Sequence, residues 1–225
     1  DFEASWTDAY RRLSLELAHG DASRAAAMLA EGGFDAASGR YRAGSALAAG
    51  TAADIARLWF PALAGDALTE MTARIDRAFY DNGILHSVPV AGAAETLDAL
   101  AALGLVMGVA TSDGTEAARA AIAALGFSAR LPHVLGYDAV AAGKPEPDLV
   151  LAFCTAAGLT PGEVAVVGDN THDLHMARSA RAGWAVGVLS GTGSADDLAP
   201  FADVVLPSIR DLPAWVRQVR VSGGA

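Results

Sequence analysis

From about residue 85 the chain alternates between short, continuous apolar runs and longer stretches with helical spacing, and this alternation limits the possible folds more than any other feature. The apolar runs are "LVMGVAT", "HVLGY", "EVAVVGD", "WAVGVLS" and "ADVVL". Between and around them lie "AGAAETLDALAALG", "GTEAARAAIAALG", "EPDLVLAFCTAAG", "HDLHMARSARAG", the short "ADDLAPF" and a closing "IRDLPAWVRQV", all predicted helices. A strand half-exposed to water would alternate apolar and polar residues. These runs do not, so they are predicted to form a parallel sheet covered by helices on both faces. The β-α-β crossovers of such a sheet are right-handed, which gathers the strand C-termini on one edge, where open α/β sheets bind ligands.

The residues ahead of this region have a different character. "SWTDAYRRLSLELA" spaces Trp6, Tyr10, Leu13 and Leu17 as one helix face. "DASRAAAMLAEGG" opens on a capping residue and closes on glycines, and "TAADIARLWF" runs from the cap Thr51 to Pro61. "GDALTEMTARIDRAFYDNG" is a longer amphipathic helix. Between them "FDAASGRYRAGSALAAG" is rich in Gly and Ser and reads as a long loop, with a length that points to a functional role. No strand is expected before residue 85.

Composition excludes several classes. With 225 residues, 52% of them hydrophobic, the chain can bury a core and is not disordered. A formal net charge of −10 argues against a nucleic-acid partner, which would call for a basic stripe. No apolar run approaches a membrane span, and the acidic start "DFEASW" is no signal peptide. The single cysteine, Cys154, sits in a helical apolar run, reads as a small core residue and fits a reducing, cytoplasmic compartment.

Three polar signals fall at strand ends. In "VATSDG", Thr111 and Ser112 lead into a helix, where a hydroxyl and free N–H groups make an anion site; the plainer reading is helix capping. In "GKPEPD", Lys144 precedes Pro145, which favours an extended backbone at the mouth of a helix; the plainer reading is a solvated loop lysine. In "VVGDNTHDL", Asp169 ends a strand and Asp173 falls in the first turn of the next helix. Both could be cap or first-turn acids. Two carboxylates held close are better explained by a cation between them, and oxygen-only ligands suit Mg²⁺. His172 and His175 lie nearby, so a transition-metal site is a further reading, set against an ordinary solvated helix face.

The order of these signals, hydroxyl, lysine and then paired acids on successive strand ends, resembles the haloacid dehalogenase-like hydrolase superfamily. Thr111 stands where that family has the Ser/Thr of its second motif, "GKPEPD" resembles its third and "GDNTHD" its fourth. The resemblance covers residues 86 to about 206 and implies a Rossmann-like parallel sheet core with helices on both faces. The core would comprise residues 1–5 and 85–225, and residues 6–84 an inserted helical cap of the C1 type. It implies an Mg²⁺-dependent phosphatase whose partner is a small-molecule phosphate ester, cleaved through an aspartyl-phosphate. Thr111 and Ser112 would hold phosphate oxygens, Lys144 would neutralise charge, and Asp169 and Asp173 would serve the metal. The resemblance is nearest to phosphoglycolate phosphatase-like members, with sugar-phosphate phosphatases and phosphomutases as alternatives. Arg40 and Arg42 in the long loop are candidates to hold a substrate carboxylate, or else are solvated.

One motif of the family is absent. The nucleophilic Asp-x-Asp-Gly-Thr of the first strand does not occur, and "DFEASWTDAY" resembles the family's sequence just downstream of that motif, with no initiating Met. The motif is therefore expected upstream of Asp1, and residues 1–225 alone are expected to lack phosphatase turnover. A cap-bearing binding protein without catalysis and a structural scaffold are the other readings. The presence of Lys144, Asp169 and Asp173 together argues against both.

Overall fold

The computed structural model of the protein describes residues 2–222. The N-terminal segment is built from α1 (Phe2–Leu17), α2 (Ala22–Glu31), the strands β1 (Phe34–Asp35) and β2 (Arg40–Tyr41), α3 (Ala46–Ala49), α4 (Ala52–Trp59) and α5 (Gly65–His86). Its helix starts follow the capping signals. Asp21 accepts from the N–H groups of Ser23 and Arg24, and Thr51 forms a reciprocal capping box with Asp54. The apolar faces meet in one cluster that includes Tyr10, Leu13, Met28, Ile55, Trp59 and Phe79. Trp59 is sealed inside it, and its Nε1–H donates to the Met28 carbonyl at 2.8 Å.

The long loop contains more order than its composition implies. β1 and β2 form a short antiparallel hairpin pairing Phe34 with Tyr41 and Asp35 with Arg40. This corrects the expectation that no strand precedes residue 85. Its cause is local: the Asp35 carboxylate accepts from the Ala37 N–H and the Ser38 hydroxyl, which closes the turn, and the Phe34 and Tyr41 rings pack at 5.0 Å. Helices α1 and α5 both run unbroken across the expected segment boundaries near residues 5 and 85. They are tied there by Asn82 Nδ2 donating to the Ser5 carbonyl and the Val88 N–H donating to Ser5 Oγ.

The remainder alternates as expected: α6 (Ala93–Ala102), β3 (Gly108–Ala110), α7 (Thr115–Ala124), β4 (His133–Leu135), α8 (Asp148–Ala157), β5 (Ala165–Gly168), α9 (Thr171–Ser179), β6 (Trp184–Val188), α10 (Ala195–Leu198), β7 (Val204–Leu206) and α11 (Leu212–Ser222). All strand pairs here are parallel, β3 with β4 and β5-β6-β7 in order. Helices cover both faces. On one, α8 and α9 bury Leu149, Cys154 and Met176 against Ala110, Leu135 and Val166. On the other, α6 and α11 bury Leu100 and Leu212 against Met107, Val186 and Val188. Cys154 is a buried free thiol, as its helical context implied.

The sheet is nevertheless in two pieces. Among the described residues no backbone ladder joins β3 to β5, although Ala110 of β3 and Val166 of β5 pack into the same cluster with α8 and α9. The strands flanking this break are unusually open for the middle of a covered sheet. Val106 is 50% and Val167 39% exposed, and Gly108 and Ala165 are exposed too, whereas Val134 on β4 and Val186 on β6 are buried. Strand β3 is correspondingly shorter than the apolar run that predicts it.

Candidate active site

The C-terminal ends of β3 and β5 open onto one cavity of about 180 Å³. β3 delivers Thr111, whose N–H donates to the Leu135 carbonyl of β4 and so extends the strand by one bond. The Thr111 hydroxyl bonds to Asp113, accepting from its N–H at 3.1 Å and lying 3.3 Å from its carboxylate. Gly136, just past β4, packs directly on the backbone of Asp113 to Thr115, where any side chain would collide. The Tyr137 N–H then donates to the Asp113 carbonyl. The Thr111–Asp113 turn is thus held from three sides.

Lys144 reaches the cavity from the loop ahead of α8. Its Nζ donates to Asp173 Oδ1 at 2.6 Å, and the two side chains are only 13% and 11% exposed. The other Asp173 oxygen accepts from the Asn170 N–H, and the Asn170 side chain accepts from the His172 N–H, a reciprocal capping box that starts α9. Gly168 leaves the room that Asp173 occupies, since a Cβ there would overlap its carboxylate.

Asp169 is held by the loop after β6. Its Oδ2 accepts from the Thr192 N–H at 2.7 Å and the Thr192 hydroxyl at 3.1 Å, while its carbonyl accepts from the Gly193 N–H. Gly191 and Gly193 permit this close wrap, because a Cβ on either would strike Asp169. Among the described residues Asp169 Oδ1 accepts no hydrogen bond, which leaves its lone pairs for another partner. With oxygen donors only, Asp169 and Asp173 suit a hard divalent cation such as Mg²⁺, which takes one or two carboxylates and retains waters. The free Asp169 oxygen makes it the ligand of choice. Asp173, engaged by Lys144 and Asn170, is suited to act through water. Asn170 adds a signal of its own: its buried Nδ2 has no hydrogen-bond partner among the described residues, a donor left for a ligand or water at the cavity wall.

A second set of acids lies behind the Thr111 turn. The Tyr137 hydroxyl donates to Asp76 Oδ2 of α5 at 2.6 Å, and the Thr115 hydroxyl and N–H donate to Asp138. Burial pushes the Asp113 carboxyl above its usual range, opposed by the Thr111 hydrogen bond and the Lys144 charge and assisted by Asp76. Burial likewise raises Asp76 and Tyr137. Tyr10 is raised first by burial and then by the neighbouring Asp113 and Tyr41.

Five of the seven residues singled out from sequence, Thr111, Ser112, Lys144, Asp169 and Asp173, line the one cavity. Arg40 and Arg42 are not among its lining residues. Both are exposed, Arg40 on the hairpin and Arg42 just after it, and the same loop instead lends Leu47 to Gly50 to the wall. His172 lines the cavity, whereas His175 packs on the Phe201 ring at 4.3 Å. Among the described residues no three His, Cys, Asp or Glu side chains are grouped to hold a metal ion. Sequence reasoning missed Thr192, Asn170, Trp6 and Tyr10. Thr192 carried a usable signal, the "GTGS" loop at a strand end. Trp6 and Tyr10 read only as a helix's apolar face.

Comparison with known proteins agrees with this geometry. A family model described as haloacid dehalogenase-like hydrolase matches residues 1–181. The chain is 38% identical over 107 residues to a probable phosphatase, IndB, of Dickeya dadantii, covering 48% of this chain and 46% of that protein. It is 36% identical over 121 residues to the phosphoglycolate phosphatase of Escherichia coli K12, covering 53% of this chain and 47% of the relative. The matched stretch thus spans about half the length of these curated relatives. A crystal structure of a predicted phosphoglycolate phosphatase from Haemophilus somnus superposes with a TM-score of 0.65 at 22% identity, over 75% of this chain and 78% of the other, a likeness of fold. With the family model spanning most of its length and the motif residues gathered on one cavity, the chain belongs to the haloacid dehalogenase-like hydrolase family.

Proposed function

We propose that the complete protein is an Mg²⁺-dependent phosphatase acting on a small phosphate monoester. The observation that carries this reading is the convergence of Thr111, Ser112, Lys144, Asp169 and Asp173 on one cavity at the strand ends. A hydroxyl, a lysine and two acids suit an anion bound with a cation, and phosphoryl transfer asks mainly for positioning and charge neutralisation. Thr111 and Ser112 hold phosphate oxygens. Lys144 turns from Asp173 toward the incoming phosphate. Asp169, steadied by Thr192, faces the cation, which when bound supplies Lewis-acid stabilisation of the phosphoryl oxygens.

The nucleophile is a carboxylate on a further strand seated between β3 and β5. The unpaired ladders and exposed flanks at that break support this placement. Its oxygen attacks phosphorus, the ester P–O bond breaks, and the leaving alkoxide takes a proton. Water then attacks the acyl phosphate and releases inorganic phosphate. Residues from about 6 to 84 act as a cap whose α1 and α3 close the cavity and keep bulk water out.

The test is turnover of p-nitrophenyl phosphate by the complete gene product. Activity should require Mg²⁺, vanish in excess EDTA and fall to a small residue in Asp169→Asn. Residues 1–225 alone should show none. Equal turnover with and without EDTA refutes the metal role, and turnover by residues 1–225 alone refutes the added strand.

A further inference from the structure

With a phosphate on Thr111, Ser112 and Lys144, the rest of the cavity is bounded by Trp6 and Tyr10 of α1 and by residues 47–50 at the end of α3. None of these carries a charge. Apart from the Trp6 indole N–H, their polar hydrogens are spent inside the protein. The Tyr10 hydroxyl donates to the Leu47 carbonyl at 2.9 Å. The Leu47 N–H donates to Gly32, those of Ala48 and Ala49 to Ser45, and that of Gly50 to Ala46. The wall therefore has no cation and no spare backbone donor to meet a second anionic group.

The opposite side deepens the bias. Asp113, Asp169 and Asp173 line it, and its lysine is already paired with Asp173. His172 is the other basic side chain lining the cavity. What the wall does present is an aromatic surface held in place. The Trp6 ring stacks on Tyr10 with centroids 5.7 Å apart and planes at 29°, and meets Phe79 edge-on at 5.0 Å. A ring braced on two sides loses little freedom when a ligand packs on it.

We propose that the leaving group is uncharged, with a carbohydrate-like or aromatic face seated against Trp6, and that esters with a second anion on the leaving group are rejected. This rests on the phosphatase reading above. A carboxylate brought to this wall loses water, meets no cation there and faces the carboxylates of Asp113, Asp169 and Asp173 across the cavity, so its charge goes uncompensated.

The test compares kcat/KM of the complete gene product, with Mg²⁺, for glucose 6-phosphate, p-nitrophenyl phosphate and phosphoglycolate. The two neutral leaving groups should exceed phosphoglycolate by about tenfold or more. Trp6→Ala should raise KM for them more than it lowers kcat, and Trp6→Phe should recover most of the loss. Ala49→Arg, which adds a guanidinium to the wall, should raise phosphoglycolate turnover by about tenfold. Phosphoglycolate turned over as well as the neutral esters would overturn the inference and leave the phosphatase reading standing; loss of that turnover in His172→Ala would identify the group that had held its carboxylate. Failure to hydrolyse any of the three would overturn both.

Discussion

Replacing Lys144 with Met isolates the electrostatic strain that this site carries before any ligand arrives. The substitution keeps most of the side-chain volume and removes the charge. Asp173 then remains with its carboxylate 11% exposed and one oxygen without a partner, its other oxygen still accepting from the Asn170 N–H. Breaking a buried pair from one side costs about 3–5 kcal/mol. The surviving hydrogen bond and the adjoining cavity place this case at the low end, about 3 kcal/mol. For 225 residues, at about 2 cal/mol/K each, the unfolding entropy is roughly 0.5 kcal/mol/K, so Tm should fall by about 6 °C. Asp173→Asn retains an acceptor for the Asn170 N–H and removes the charge. Lys144→Met with Asp173→Asn should therefore recover most of the loss, with a coupling of at least about 2 kcal/mol in a double-mutant cycle. Urea unfolding of all four proteins without Mg²⁺ or phosphate measures it. A single mutant within about 0.5 kcal/mol of wild type, or a strictly additive double mutant, refutes the view that the pair is electrostatically coupled.

Thr192→Val deletes the hydroxyl bond to Asp169 and keeps the N–H bond, so the Mg²⁺ concentration for half-maximal activity should rise roughly tenfold. Calorimetric titration of Mg²⁺ should shift alike; unchanged values would remove Thr192 from the metal site's support. Asp76→Asn keeps an acceptor for the Tyr137 hydroxyl and removes a buried charge. The folded pKa of Asp76 lies above its ordinary 3.8, chiefly through burial, with Asp138 adding to it against the Tyr137 bond. The proton is thus bound more tightly in the folded state. That contribution is complete below pH 3.8 and is lost as pH rises through the folded pKa. The variant should match wild type at low pH and be more stable at neutral pH, by up to about 1 kcal/mol because the site is only half-buried. Parallel stability curves across that range would contradict the assignment.

The parts of this fold that were legible in sequence share a physical cause. Helix starts at Asp21 and Thr51 are set by short-range hydrogen bonds between a side chain and the next turn, which a sequence displays directly. The parallel strands show as continuous apolar runs because both faces are covered. The candidates Thr111, Ser112, Asp169 and Asp173 were legible because each follows a strand end within a few residues, so placing the strand places the side chain, whereas Lys144 was legible only from its own "GKPEPD" context in the loop ahead of α8. Contacts across long separations were less accessible. Thr192 meets Asp169 only after a whole β-α-β unit has folded, and Trp6 reaches the cavity only once α1 lies across the strand ends. Arg40 and Arg42 were chosen for their chemistry alone, and the Asp35 turn holds them in or beside an exposed hairpin. The break between β3 and β5 was not read from the sequence: its trace, the exposure of Val106 and Val167, exists only in three dimensions.

Asp173 holds two posts at once: it closes the capping box of α9 and it receives Lys144. The first turn of that helix is consequently wired to the charge state of the cavity. Were a phosphate to draw Lys144 away, as the proposed function requires, the carboxylate would be freed to turn toward a cation, and its hold on the Asn170 N–H would loosen. Amide hydrogen exchange at Asn170 to Asp173 would then serve as a built-in gauge of occupancy, readable without any chemical turnover.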